Sequence, residues 1–202
     1  MRDRDLVRLY WPVAVRAAFD ALFAIDDALG EVVASSTQPA LGAVRMAWWR
    51  DALERLDDSP PPPEPRLAEA ARLLLPLGVS GATLAAIAEG WSGLFEEGRD
   101  YDRIGERGVA LFAAGARLLG SYDPQLIEAG RYFALGDVAR RGLAPAAPVT
   151  IKRLKFAPSL RPLTGLARLG VRDLRPGEPA EAEATPSRAA ALLAHRISGR
   201  IA

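Results

Sequence analysis

The residues with the most chemical potential in this chain are acidic. Asp20, Asp26, Asp27 and Glu31 fall within one stretch of helical periodicity. Asp27 and Glu31 stand one turn apart, so on a helix they share a face. Two carboxylates aimed from one face into a helical bundle suit Mg²⁺, which takes oxygen ligands and bridges to substrate phosphates. The same spacing describes a solvated acidic face, and spacing by itself speaks more for that. A second cluster is Arg45-Met46-Ala47-Trp48-Trp49-Arg50-Asp51. Neighbouring helical side chains project about 100° apart, so one tryptophan enters the core while the other lies in a groove or interface. Arg45 and Trp49, one turn apart, are spaced for cation–π contact. A charge on the face of Arg45 needs an acidic partner or an anionic ligand. His195, beside Arg196, has no second His and no Cys to join it in a zinc site of the usual kind, and reads as a surface histidine. Dinucleotide, phosphate-loop and nucleophile-elbow motifs are missing.

The elements that must position these groups are helical. The chain has 202 residues, half of them hydrophobic, which suits one domain or at most two small ones with a real core. It holds 38 Ala, 28 Leu and 24 Arg, all strong helix formers. Zero Cys excludes disulfide frameworks, thiolate nucleophiles and Cys-based metal sites. A net charge of +1 excludes a strongly basic nucleic-acid binder. The charged start, Met1 to Asp5, leads into no secretory apolar region. Nor does any run approach the roughly 20 apolar residues of a membrane span. A cytoplasmic protein is expected.

Apolar spacing predicts helices at 3–29, interrupted near Pro12, then at 39–56, 66–76, 80–97, 104–120, 123–141, 160–173 and 187–197. Leu6, Leu9, Val13, Ala17, Ala21, Ala24 and Ala28 are expected on one face of the first. Leu41, Val44, Trp48, Leu53 and Leu56 are expected on one face of the second. Gly30 offers a C-cap, although Glu31 and the following Val pair can carry the helix on. Pro60 to Pro63 form a linker, Asp123 is placed to cap a helix, and 176–186 reads as a loop. No alternating strand pattern is present. The class is therefore all-α, with seven or eight helices in a single domain over 1–202. Residues 1–142 form the helical core, and 143–202 a basic, Pro-rich extension with short helices. Residues 131–202 carry 13 basic and five acidic side chains, net +8, against −3 for 1–58 and −4 for 59–130. Such a region pairs within the fold or faces anionic lipid or a diphosphate.

Two segments carry a family resemblance. Trp11-Pro12, Arg16 and Ala21-Leu22-Phe23-Ala24-Ile25, and then Leu41-Gly42-Ala43-Val44-Arg45-Met46-Ala47-Trp48-Trp49-Arg50-Asp51-Ala52-Leu53, resemble the opening of the squalene/phytoene synthase family. The resemblance implies an isoprenoid-synthase-like helical bundle that condenses prenyl diphosphates, with Mg²⁺ held by Asp-rich motifs on facing helices. Laid on this chain, the first motif falls on Gly30, Glu31, Val32, Val33 and Ala34. The second falls near Asp137 to Arg141, with Arg141 at its main ligand position. A cation there repels a metal. Compared with active members the chain looks truncated at its C-terminus.

The resemblance therefore implies a family member that has lost its Mg-diphosphate motifs, with no catalytic residue assigned. Its expected role is that of an isoprenoid- or lipid-binding or assembly factor, as for a mitochondrial relative implicated in respiratory complex I assembly. One alternative is an active prenyl transferase with a remodelled site. Asp26, Asp27 and Glu31 would then hold Mg²⁺, while Arg16, Arg45, Trp49 and Arg50 contact the diphosphate. The other is an adaptor on the inner membrane surface, docked through the basic C-terminal third.

Overall fold

The computed structural model describes residues 2–96, 98–175 and 181–202. Met1, Glu97 and the first part of the expected 176–186 loop lie outside the described residues. The order of elements follows the Pro and Gly punctuation of the sequence. Helix α1 (Asp3–Arg8) ends before Pro12, and a 3-10 turn leads into α2 (Arg16–Ser35). Then come α3 (Pro39–Glu54), α4 (Pro65–Leu73), α5 (Gly81–Ser92), α6 (Tyr101–Leu118), α7 (Leu126–Arg140), α8 (Arg161–Asp173) and α9 (Pro186–Ser198). Among the described residues this makes nine α-helices, one more than the eight expected segments, because α1 is separate from α2.

Proline occupies the first turn of α3, α4, α8 and α9, where its missing N–H leaves no bond unmade. Ser80, Asp100 and Thr185 cap α5, α6 and α9 through their side-chain oxygens. At α7 the N-cap is Gln125, and Asp123 instead accepts the Gln125 N–H at 2.9 Å. Gly30 is no cap, since α2 continues to Ser35.

Among the described residues the bundle is all-α apart from one ribbon that no alternation in the sequence announces. Strand β1 (Leu154–Lys155) pairs antiparallel with β2 (Arg200–Ile201), Leu154 opposite Ile201 and Lys155 opposite Arg200. At two residues per strand it is too short to carry a period-2 pattern.

Helix α2 runs through the core and is buried on most of its circumference, from Ala18 to Val32. The face expected along the first stretch is observed in part: Ala21 and Ala28 are buried and Leu6 packs on the core, whereas Leu9, Val13 and Ala17 are exposed, and Phe19, Leu22, Phe23 and Ile25 are buried as well. Trp11 stacks on Phe19 and Phe23 at 4.8 and 5.4 Å and donates its Nε1–H to the Pro162 carbonyl, which ties the chain start to α8.

Helix α7 packs between α6 and α8. Both crossings are made by facing glycines. A Cβ on Gly108 of α6 would lie 1.9 Å from the Gly130 carbonyl oxygen of α7. One on Gly136 of α7 would lie 2.4 Å from the Gly170 carbonyl oxygen of α8. The small-residue texture therefore serves backbone approach at these points. In α3 the buried face is Gly42, Met46, Trp49, Ala52 and Leu53. Leu41, Val44 and Trp48 point outward, contrary to the expected face, with Trp48 45% exposed. Trp49 enters the core and meets Trp48 edge to face at 5.5 Å.

Candidate functional site

The acids of α2 lead to a polar cleft where α1, α2, α7 and α8 meet. Asp26, Asp27, Asp137, Arg140, Arg141 and Arg4 line it, with Phe23, Phe133 and Leu166 as apolar wall. At its floor Arg107 of α6 lies between two carboxylates. Its Nε and Nη2 donate to Asp26 at 2.7 and 2.6 Å, and Nη2 also donates to Asp137 at 2.8 Å. Asp26 is 1% exposed and Arg107 is fully buried. Trp91 of α5 completes this floor: its Nε1–H donates to Asp26 at 2.9 Å, and its ring lies 3.8 Å from the Arg107 guanidinium carbon. The Phe133 ring lies 5.3 Å from the same carbon, so the cation is held by two carboxylates and two aromatic faces.

Above this floor the remaining acceptor sites are also taken by arginines. Arg140 Nη2 and Arg141 Nε donate to Asp137 at 2.8 and 2.9 Å. Asp27 accepts from Arg4 and from Arg2, the latter at 3.0 Å, and Arg141 stands 3.6 Å away. Gly30 makes room for this arrangement: a Cβ there would stand 2.8 Å from Arg141 Nη1 and 3.1 Å from the Trp91 ring. On the far wall Arg188 of α9 forks across Asp173 at 2.6 and 2.9 Å and reaches Asp3 at 2.6 Å. The interior volume left is about 50 Å³, against the roughly 300–1,000 Å³ of small-molecule pockets.

Burial pushes the Asp137 carboxyl up, but Arg107, Arg141 and Arg140 outweigh it and hold it far below the usual carboxylate range. Asp27 follows the same balance: burial raises it, and Arg4, Arg2 and Arg141 bring it down. Burial opposes the Arg107 charge, but Asp26 and Asp137 more than restore it.

The structure brings together only part of the expected site. Asp26 and Asp27 reach the cleft, but Glu31 does not share their surroundings. It is exposed and pairs with Arg66 of α4 at 3.1 Å, so the one-turn spacing of Asp27 and Glu31 assembles no joint site. None of the expected diphosphate ligands lines the cleft. Arg16 donates to the Trp11 carbonyl at 3.1 Å. Arg45 is exposed and donates to Ser35 Oγ at 3.2 Å rather than stacking on Trp49, which is buried. Arg50 is exposed and pairs with Asp51 and, at 3.7 Å, with Glu89. Arg45 and Arg50 sit on the outer surface because α3 turns its Gly42–Met46–Trp49 face inward, while Arg16, half-buried at the start of α2, is turned to the Trp11 carbonyl.

Two central residues, Arg107 and Trp91, escaped the sequence reading. The available signal was register: Arg107 falls among the buried Ile104, Gly108, Leu111 and Gly115 of α6, and a charge on such a face must be paired. His195 is a correction as well. It is 2% exposed, placed between Thr164 Oγ1 and the Arg200 carbonyl, each at 3.0 Å, because α9 lays this position on α8.

Mg²⁺, the ion that the resemblance implies, can be tested against these donors. Among the described residues no three carboxylate or imidazole side chains converge as a metal would require. Asp26, Asp27 and Asp137 each already face guanidinium groups. The residues do not fit the ion. Comparison with models of known families, with curated proteins and with solved structures finds no match to this chain.

The carboxylates and His195 give the fold a two-stage response to acid. Asp137 and Asp27 have folded values below their unfolded ones, so their stabilisation is present above about pH 4 and is lost as pH falls through the folded values. Burial lowers the His195 imidazole, against the Arg200 carbonyl and with help from Arg168 and Arg161. Its contribution is present above about pH 6.5 and fades as pH falls toward the lowered value. Urea melts between pH 8 and 3 should show a shallow decline below about 6.5 and a steeper one below about 4. The variant His195→Gln should lack the first decline and keep the second; a wild-type curve flat to pH 5 would contradict the buried imidazole.

Proposed function

We propose that this protein is a non-catalytic relative of the squalene/phytoene synthases, acting as an isoprenoid- or lipid-binding or assembly factor. One observation carries the reading: the carboxylates of the central cleft are locked by arginines of the same chain. Asp26 and Asp137 share Arg107, and Asp137 also takes Arg140 and Arg141. The resemblance expects the leading carboxylate of its first motif at Gly30, and Arg141 occupies the space that a side chain there would need. Ionising an allylic diphosphate builds negative charge that active members meet with metal. Here fixed guanidinium groups neutralise the acids that would hold it.

Among the described residues no helix is long and apolar enough to cross a membrane. The proposed setting is the cytoplasm, with peripheral contact at the inner membrane.

The test is calorimetric titration with a non-hydrolysable farnesyl diphosphate analogue, with and without Mg²⁺, beside a turnover assay on farnesyl and geranylgeranyl diphosphate. The expected result is no Mg²⁺-dependent binding and no diphosphate release above a heat-inactivated control. Binding without metal would support the isoprenoid-binding form, and no binding would support the assembly form. Mg²⁺-dependent turnover abolished by Asp27→Ala or Glu31→Ala would replace this reading with that of an active transferase.

A further inference from the structure

Most cations of the basic third are matched within the fold. Lys152 pairs with Glu128, Arg172 with Glu181, and Arg188 with Asp3 and Asp173. Arg161 donates to the carbonyls of Arg196 and Ile197 at the end of α9. Among the described residues, Arg153, Lys155, Arg168, Arg175, Arg196 and Arg200 have no acidic partner in this third, and all but Arg196, which lies over Tyr10, gather around a cleft between the 147–151 segment and α8.

This cleft has a volume of about 670 Å³, within the range of small-molecule pockets. Its walls are largely apolar: Ala147, Val149, Ile151, Val171 and Leu174. Two cations, Arg168 and Arg175, share the lining. Arg168 is half-buried, and its charge is disfavoured by burial and by Arg172 and Arg175, with no acidic group among the described residues acting on it. A partly desolvated cation without a carboxylate is costly unless an anion meets it.

Beside this cleft lies a second depression lined by Arg153, Lys155 and Arg200, with Ala202 common to both. Lys155 and Arg200 are direct cross-strand partners on the β1–β2 ribbon, and both are exposed. Like charges directly opposite destabilise a strand pair. The ribbon therefore adds a positive field next to an apolar slot that ends on a guanidinium with no acidic partner among the described residues.

We propose that this cleft binds an amphipathic anion, a single hydrocarbon chain with a phosphate or carboxylate head, and that Arg168 is the head-group ligand. The chain lies against Val149, Ile151, Val171 and Leu174, and the ribbon cations draw the head in. The site is separate from the charge-locked cleft and stands whether or not the proposed function does.

The probe is decyl phosphate, titrated below its micelle concentration into the full chain and followed by calorimetry. Saturable one-to-one binding is expected. Arg168→Gln should weaken it at least tenfold, as expected for loss of a charge-assisted hydrogen bond, while Arg168→Lys should retain most of it. Val149→Asp, in the half-buried wall, should weaken it similarly with circular dichroism unchanged. Inorganic phosphate should compete only weakly. Equal binding by wild type and Arg168→Gln would overturn the proposal, and so would inorganic phosphate binding as tightly as decyl phosphate. Binding confined to phosphatidylglycerol vesicles, lost in salt yet indifferent to both variants, would overturn it in favour of a plain surface contact.

Discussion

Replacing Arg107 by methionine is expected to destabilise the protein by about 3–5 kcal/mol, the usual cost of stranding buried charges by removing their partner. For a chain of this length that is a melting temperature lower by roughly 6–20 °C. The reason is geometric. Asp26 and Asp137 come from different helices and are both buried, and Arg107 is the donor they share. Without it Asp26 keeps only the Trp91 N–H at 2.9 Å. Asp137 keeps Arg140 and Arg141, whose side chains are partly open to solvent. The penalty should come from uncompensated charge rather than from lost packing, because methionine fills much of the same volume. Adding Asp26→Asn and Asp137→Asn to Arg107→Met should then recover more than half of the loss. Thermal melts of the single and triple variants check this. A single variant within about 1 kcal/mol of wild type would mean that water already solvates the floor of the cleft.

Gly108→Ala is expected to cost about 3 kcal/mol, at the upper end for overpacking, since the clash is with backbone. The added carbon would lie 1.9 Å from the Gly130 carbonyl oxygen and 2.5 Å from its carbon, so no rotamer change relieves it. Helices α6 and α7 would have to separate, and α7 carries Asp137 toward Arg107. Gly105→Ala, one turn earlier on the same helix, provides the contrast. Its Cβ would meet Arg131 Cγ at 3.2 Å, part of a flexible side chain. Alanine also gains about 0.8–1.0 kcal/mol in helix propensity, so this variant should be neutral or slightly stabilising. Equal losses in the two variants would show that the crossing at Gly108 is no tighter than its surroundings.

The sequence-level reading of α2 separates what local pattern can settle from what it cannot. That Asp26 and Asp27 lie on a helix followed from spacing. Which carboxylate turns inward did not, because α2 is buried on most sides and its apolar residues select no single face. Of the expected face, Ala21 and Ala28 are buried and Leu6 packs on the core, but Leu9, Val13 and Ala17 are exposed. In the second helix Leu53 and Leu56 are buried as expected, but the expected residues before them are not, for a related reason. Leu41, Val44 and Trp48 look like a core stripe, but close packing against α5 turns the Gly42–Trp49 side inward. The fate of Arg45 and Arg50 followed from such rotations, and His195 was buried by the docking of α9 on α8.

The sequence by itself determined the all-α class and, to within a few residues, the helices between its Pro, Gly and capping residues. These are local effects, acting within one turn of the chain. The tertiary structure alone decided that Asp26 is buried, that Glu31 belongs to the surface, and that the cleft's carboxylates are neutralised from within. The partner of Asp26 lies 81 residues away in sequence. A long-range ion pair is set by which helix faces meet; on the Asp137 side of Arg107 the Gly108–Gly130 crossing fixes that meeting by letting the backbones of α6 and α7 touch where any side chain would hold them apart.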